Sequence, residues 1–226
     1  MPCLDRALTE VRASLTWTIE EVASDAEAPE SWSNPETRAH VLLTPRHPGS
    51  RLALLRQLVH AALCERMPRL YASSTVWGVS LGGQVVARKH YLRATREWYA
   101  TARLTELCPE EADAALADAS AAARERLATV RPFVLDRLNL GPDERGRLAD
   151  GLLLAQVKRR LDPFADTADP VTGAVAVAYG QVDPAAPDMP GFLTVVNGLC
   201  AATGRRPFTP VPRKGYWMVR ETDTAP

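Results

Sequence analysis

Residues 54–63 read Leu54-Leu55-Arg56-Gln57-Leu58-Val59-His60-Ala61-Ala62-Leu63. The apolar residues recur at steps of three and four, which predicts an amphipathic helix. Ser50 after Pro48-Gly49 is placed to cap it, and Pro68 to stop it, so the helix is expected over 51–66. On such a helix positions 56 and 60 share one face. A histidine at each would direct two imidazoles at one metal ion, with a glutamate at 57 beside them as general base. The chain has Arg56 and Gln57 instead, and only His60 is of the required type. Arginine stays protonated and has no lone pair to give a metal. Glutamine cannot take a proton from a bound water.

Upstream, residues 3–24 carry Leu4, Leu8, Val11, Leu15, Ile19 and Val22 at helical spacing and are expected to form a helix. The acidic stretch 24–34, with Pro29, reads as a loop. Residues 38–43, Arg-Ala-His-Val-Leu-Leu before Thr44-Pro45, predict a strand. Downstream, the apolar runs around Gly82-Gly83 suggest a β-hairpin over 75–87, the alternative being an irregular loop with a short helix. Helices are expected over 90–107, 110–129, 132–140 and 143–161. Beyond Asp162-Pro163 prolines become frequent. A strand is expected over 171–179, a short helix over 190–203 and a last strand over 215–221, with 221–226 disordered. The fold class that follows is α+β and mainly helical. The composition shift suggests a domain over 1–162 and a Pro-rich α/β extension over 163–226.

The stretch 32–109 resembles the ImmA/IrrE-type zinc metallopeptidases, a zincin-like family, in the order and spacing of its segments. The strand 38–43, the Thr44-Pro45 turn, the Arg-containing spacer and the helix with Arg56-Gln57-Leu58-Val59-His60 occupy the places of that family's strand and metal helix. Glu97 in Glu97-Trp98-Tyr99-Ala100, followed by Leu107-Cys108-Pro109, matches the later helix that supplies a third ligand. The resemblance implies zincin-like helices on a small sheet, and an edge of the 38–43 strand that pairs an extended substrate. It implies a cleft around Arg56, Gln57, His60 and Glu97. With ligand and base replaced, no catalytic residue and no metal is expected. An Arg56–Glu97 ion pair is expected where the metal would sit. If zinc were held after all, His60, His90 and Glu97 are the candidate ligands, since His90 lies two turns before Glu97.

A second constellation is basic. Arg88, Lys89, Arg93 and Arg96 alternate with Tyr91 and Trp98, a pattern that suits nucleic acid; its ordinary alternative is a solvated helix face. The formal net charge of zero gives no general attraction to polyanions. Gly78, Gly82 and Gly83 lack the Gly-Lys-Ser/Thr ending of a phosphate loop. Cys3, Cys64, Cys108 and Cys200 form no Cys-x-x-Cys pair, so reduced, structural thiols and a cytoplasmic location are expected. No apolar run approaches the roughly 18 residues that span a bilayer. The expected function is therefore that of a catalytically degenerate metallopeptidase-like protein that binds a protein partner through the former substrate cleft, in a regulatory, stress or mobile-element context. The alternatives are a nucleic-acid-associated protein using the 88–103 helix and an active zinc peptidase with a rebuilt ligand set. No membrane partner is expected.

Overall fold

The computed structural model describes residues 3–25, 28–45, 50–68, 85–130, 142–205, 207–213 and 216–221. Among these it is α+β and mainly helical, with seven helices, a three-stranded sheet and a two-stranded sheet. The elements in chain order are α1 Cys3–Ser14, β1 Thr18–Ser24, β2 Glu30–Asn34, β3 Ala39–Pro45, α2 Arg51–Arg66, α3 Val85–Leu107, α4 Pro109–Leu127, α5 Pro142–Arg160, α6 Pro170–Gly180, α7 Met189–Ala202, β4 Phe208–Arg213 and β5 Tyr216–Glu221. No helix among them is long and apolar enough to cross a membrane. The chain divides into two compact units, 1–76 with 99–112 and 77–98 with 113–226. The expected boundary at 162/163 thus falls inside the second.

In the first unit the strand read from residues 38–43 is β3, and it is central: β1 pairs with it in parallel and β2 antiparallel. Both its edges are taken, so it has no free edge to offer a substrate. The edge strands are β1 and β2. Both depart from the expected helix and loop. The apolar spacing that suggested one helix over 3–24 covers two elements, because the chain leaves the helix after Ser14. The N–H groups of Thr16 and Trp17 then donate to the Glu65 carboxylate, and the β-branched Thr18, Ile19 and Val22 continue as strand. Strand β2 arises from the Glu30–Asn34 stretch, whose polar composition concealed it. The turn to β3 is closed by Arg38, which sits in the left-handed region at φ 52°.

Helix α2 has the expected bounds. Ser50 accepts a hydrogen bond from the Ala53 N–H at 3.3 Å, and Leu55, Leu58, Val59 and Leu63 are buried. It packs on α1 and against β2.

The second unit pairs α5 with α6 and α6 with α7. The α5–α6 approach is so close that a Cβ at Gly151 would stand 2.3 Å from Val175 Cγ1. The strand expected over 171–179 is helix α6. Its valines have high β propensity, but Asp169 caps the helix and Pro170 opens it, and burial of Val175, Ala176 and Tyr179 decides the outcome. Asp188 and Pro190 open α7 in the same way. Of the prolines beyond residue 162, Pro170 and Pro190 are thus helix starts. Strand β5 matches the strand read over 215–221. Its partner β4 was concealed by Pro210 and Pro212, which an edge strand tolerates. Residues 85–87 belong to α3 rather than to a hairpin. The rest of that hairpin with Gly78, Gly82 and Gly83, the 132–140 helix and the tail 222–226 lie outside the described residues.

Candidate functional site

Helix α2 carries Arg56, Gln57 and His60 on one unit, all three half-buried. The position that would hold a catalytic glutamate is committed to packing. Gln57 Oε1 accepts a hydrogen bond from the Ser31 hydroxyl at 2.9 Å, which fastens the helix to β2. The neighbouring residue on that edge strand, Trp32, is 42% exposed. Glu97 lies in the second unit, also half-buried. It is near Tyr179, whose buried phenol is pushed up first by burial and then by the Glu97 charge. The Trp98 and Tyr179 rings meet at 5.5 Å.

The densest polar network of the first unit was not foreseen. His40 on β3 is buried. Its Nε2 donates to Glu65 Oε1 at 3.0 Å, and its Nδ1 lies 2.7 Å from the Ser33 hydroxyl. Trp17 stacks on the ring at 5.1 Å. Glu65 also accepts from the Thr16 and Trp17 N–H groups at 2.8 Å and from Thr16 Oγ1 at 2.5 Å. Burial raises the Glu65 pKa, but the bonds from Thr16, Trp17 and His40 together outweigh it and hold the carboxyl below its ordinary value. Hydroxyl, imidazole and carboxylate in series have the order of a nucleophile, base and orienting acid. Here Ser33 is 6% and His40 2% exposed, so no acyl carbon can reach the hydroxyl. The network instead ties the connection between α1 and β1, β2, β3 and α2 together. Its sequence signal was one histidine inside an apolar strand, with a carboxylate 25 residues later on the next helix.

The first unit also gathers thiols. Cys3 Sγ lies 3.4 Å from Cys108 Sγ and donates to the Leu107 carbonyl at 3.0 Å. Cys3 opens α1, and Cys108 stands between α3 and α4. Glu111 on the first turn of α4 completes a set of three donors within 4.8 Å of one another, the one such set among the described residues. Burial, then the neighbouring Cys3 and Glu111, push the Cys108 thiol up to about 12. A spacing of 105 residues gave this pair no local signature.

On α3 the basic stripe keeps little of its expected character. Arg93 is exposed and Arg96 half-buried, but Tyr91 and Trp98 are buried and present no face on which a base could stack. Tyr91 bonds to Glu144 and, at 2.6 Å, to Thr203, while Glu144 binds Arg205 at 2.9 Å. His90 is half-buried. Burial, then Arg145 and Arg93, lower its pKa, against the pull of Glu144. The side chains of Arg88 and Lys89 lie outside the described part of α3. The second unit has an open groove of about 530 Å³ lined by Arg124, Leu127, Leu154, Val157, Asp166 and Thr167 among others, and none of the residues expected from sequence lines it.

Compared with known proteins, the chain matches no family model, no curated protein and no solved structure.

Proposed function

We propose that this chain is a zincin-like protein without peptidase chemistry, and that it binds a protein partner as an extended segment added to the edge of β2. The observation that supports it most directly is the seat of the degenerate helix. Gln57 is bonded to Ser31 on an edge strand, and Trp32 beside it is exposed. An extended peptide gains affinity from main-chain hydrogen bonds to such an edge, and an exposed indole supplies an apolar anchor. In the resemblance to the ImmA/IrrE family this helix is the metal helix, with Arg56 and Gln57 in place of ligand and base.

The test is a random-peptide display selection on the full chain, followed by titration calorimetry of the selected peptides. Trp32→Ala is expected to weaken binding at least about tenfold, the loss of roughly 1.4 kcal/mol. Methylating alternate backbone nitrogens of the peptide is expected to abolish binding. Chelator-sensitive cleavage of the selected peptides by the wild-type chain, or binding indifferent to both changes, would overturn the proposal.

A further inference from the structure

We propose that Cys3, Cys108 and Glu111 form a binding site for a thiophilic divalent cation of the zinc class, separate from the degenerate helix. Three kinds of observation converge on it. The donors are of the right type: two sulfurs and one carboxylate, the mixture that favours zinc over magnesium or calcium. Their spacing is right as well. Two sulfurs at about 2.3 Å from a tetrahedral ion stand about 3.8 Å apart, and here they stand 3.4 Å apart, with all three donor atoms inside 4.8 Å. The positions are also fixed by backbone. Cys108 is held in the α3–α4 junction by its N–H to the Leu104 carbonyl at 2.8 Å and by its carbonyl, which accepts from the Ala112 N–H at 3.0 Å. Glu111 follows one turn later on α4.

A disulfide would account for the two sulfurs alone. It gives no role to the third donor, and its bond of about 2.0 Å would require the pair to close by more than an ångström. Cation binding has a simple balance: two thiol protons leave to solvent, and the ion meets two thiolates and one carboxylate. The net charge of that set is minus one, and Arg6, close enough to act electrostatically on Cys108, offsets it. Three protein donors leave a fourth position for water or for a partner's donor atom. Fastening the start of α1 to the α3–α4 junction is the structural consequence within the first unit.

The experiment uses the full chain, reduced, stripped of metal and titrated with Co²⁺ and then Zn²⁺. One Co²⁺ per chain is expected, with a near-ultraviolet thiolate-to-cobalt charge-transfer band that Zn²⁺ abolishes. The band is expected to vanish in Cys108→Ser and in Cys3→Ser. Glu111→Gln, on a half-buried side chain that folding tolerates better, is expected to weaken binding at least about tenfold. His60→Ala is expected to leave the Co²⁺ stoichiometry and the charge-transfer band as in the wild-type chain, which separates this site from the degenerate helix. Absence of the thiolate band in the wild-type chain, or its persistence in both cysteine variants, would overturn the proposal. Metal lost on His60→Ala but kept in Cys108→Ser would overturn it too, and would place the ion on the degenerate helix, against the proposed function.

Discussion

Each unit sets a carboxylate against a buried basic side chain, Asp169 against Arg147 in the second and Glu65 against His40 in the first, and the two pairs are built differently. In the second unit Asp169 and Arg147 meet at 3.0 Å with 3% and 8% of their side chains exposed. The Asp169 carboxylate also accepts from Thr172, through its N–H at 3.0 Å and its hydroxyl at 2.7 Å. In the first unit Glu65 and His40 meet at the same distance, but the carboxylate is also fed by two main-chain N–H groups and a threonine hydroxyl. The guanidinium is charged at every ordinary pH, whereas imidazole is not. The lesson is that the second unit depends on a permanent charge having its partner, while the first depends on a carboxylate having its hydrogen bonds.

The largest effect should come from breaking the permanent pair. Asp169→Ala takes the Asp169 carboxylate away from the buried Arg147 guanidinium and removes the cap of α6. A loss of about 3–5 kcal/mol is expected, measured by urea denaturation of the full chain. Replacing both partners, Arg147→Met with Asp169→Asn, should cost less than the single change, because no charge is then stranded. A double variant as unstable as Asp169→Ala would mean that the cap, rather than the ion pair, carries the stability.

A smaller effect, read through its pH dependence, is expected in the first unit. Burial alone would raise the Glu65 pKa, but its hydrogen bonds hold it below the ordinary glutamate value. The unfolded chain therefore binds more protons than the folded one as the pH falls through the unfolded glutamate range. The contribution of Glu65 is fully present above the unfolded pKa and disappears as the pH falls through the lower, folded value. Asp169 behaves alike, with burial outweighed by Arg147 and Thr172. Glu65→Gln keeps the acceptor oxygen but not the charge, and a loss of about 1–3 kcal/mol at neutral pH is expected. Denaturation curves from pH 7 down to pH 3 should converge for wild type and Glu65→Gln at the acid end. Parallel curves would show that Glu65 is not the titrating group.

The same contrast explains what the sequence could disclose. Elements with local signals were legible: Ser50 ahead of α2, the apolar run before Thr44-Pro45 in β3, the stretch from Pro190 that forms α7. Asp169-Pro170 is an equally local start signal, but the valines after it read as a strand by propensity. Strands β1 and β2 depend on pairing with β3 and on Glu65 capturing the Thr16 and Trp17 N–H groups, interactions across 48 and 49 residues that no window contains. The site divides in the same way. The Arg56–His60 stretch of α2 stood out because its signal is a five-residue spacing. The Cys3–Cys108 pair and the His40–Glu65 network are made by tertiary contact and leave no spacing to read.

The smallest expected effect bears on Gln57, where the readings of the helix as a relic and as a structural strut diverge. Its carboxamide oxygen accepts from Ser31, so Gln57→Ala should cost about 1 kcal/mol by chemical denaturation, the ordinary net value of one hydrogen bond. Gln57→Glu keeps an acceptor for the same hydroxyl and should cost less than Gln57→Ala at neutral pH. The glutamate would stand one residue from Arg56 and three from His60, with no second histidine to complete a metal face, so it should confer no peptidase activity. If Gln57→Glu restored chelator-sensitive cleavage, Arg56 would have to be displaced and His60 would have to share a metal with other donors. If both variants were neutral, the Ser31 bond would carry no stability, and the glutamine would be explained only by what it binds.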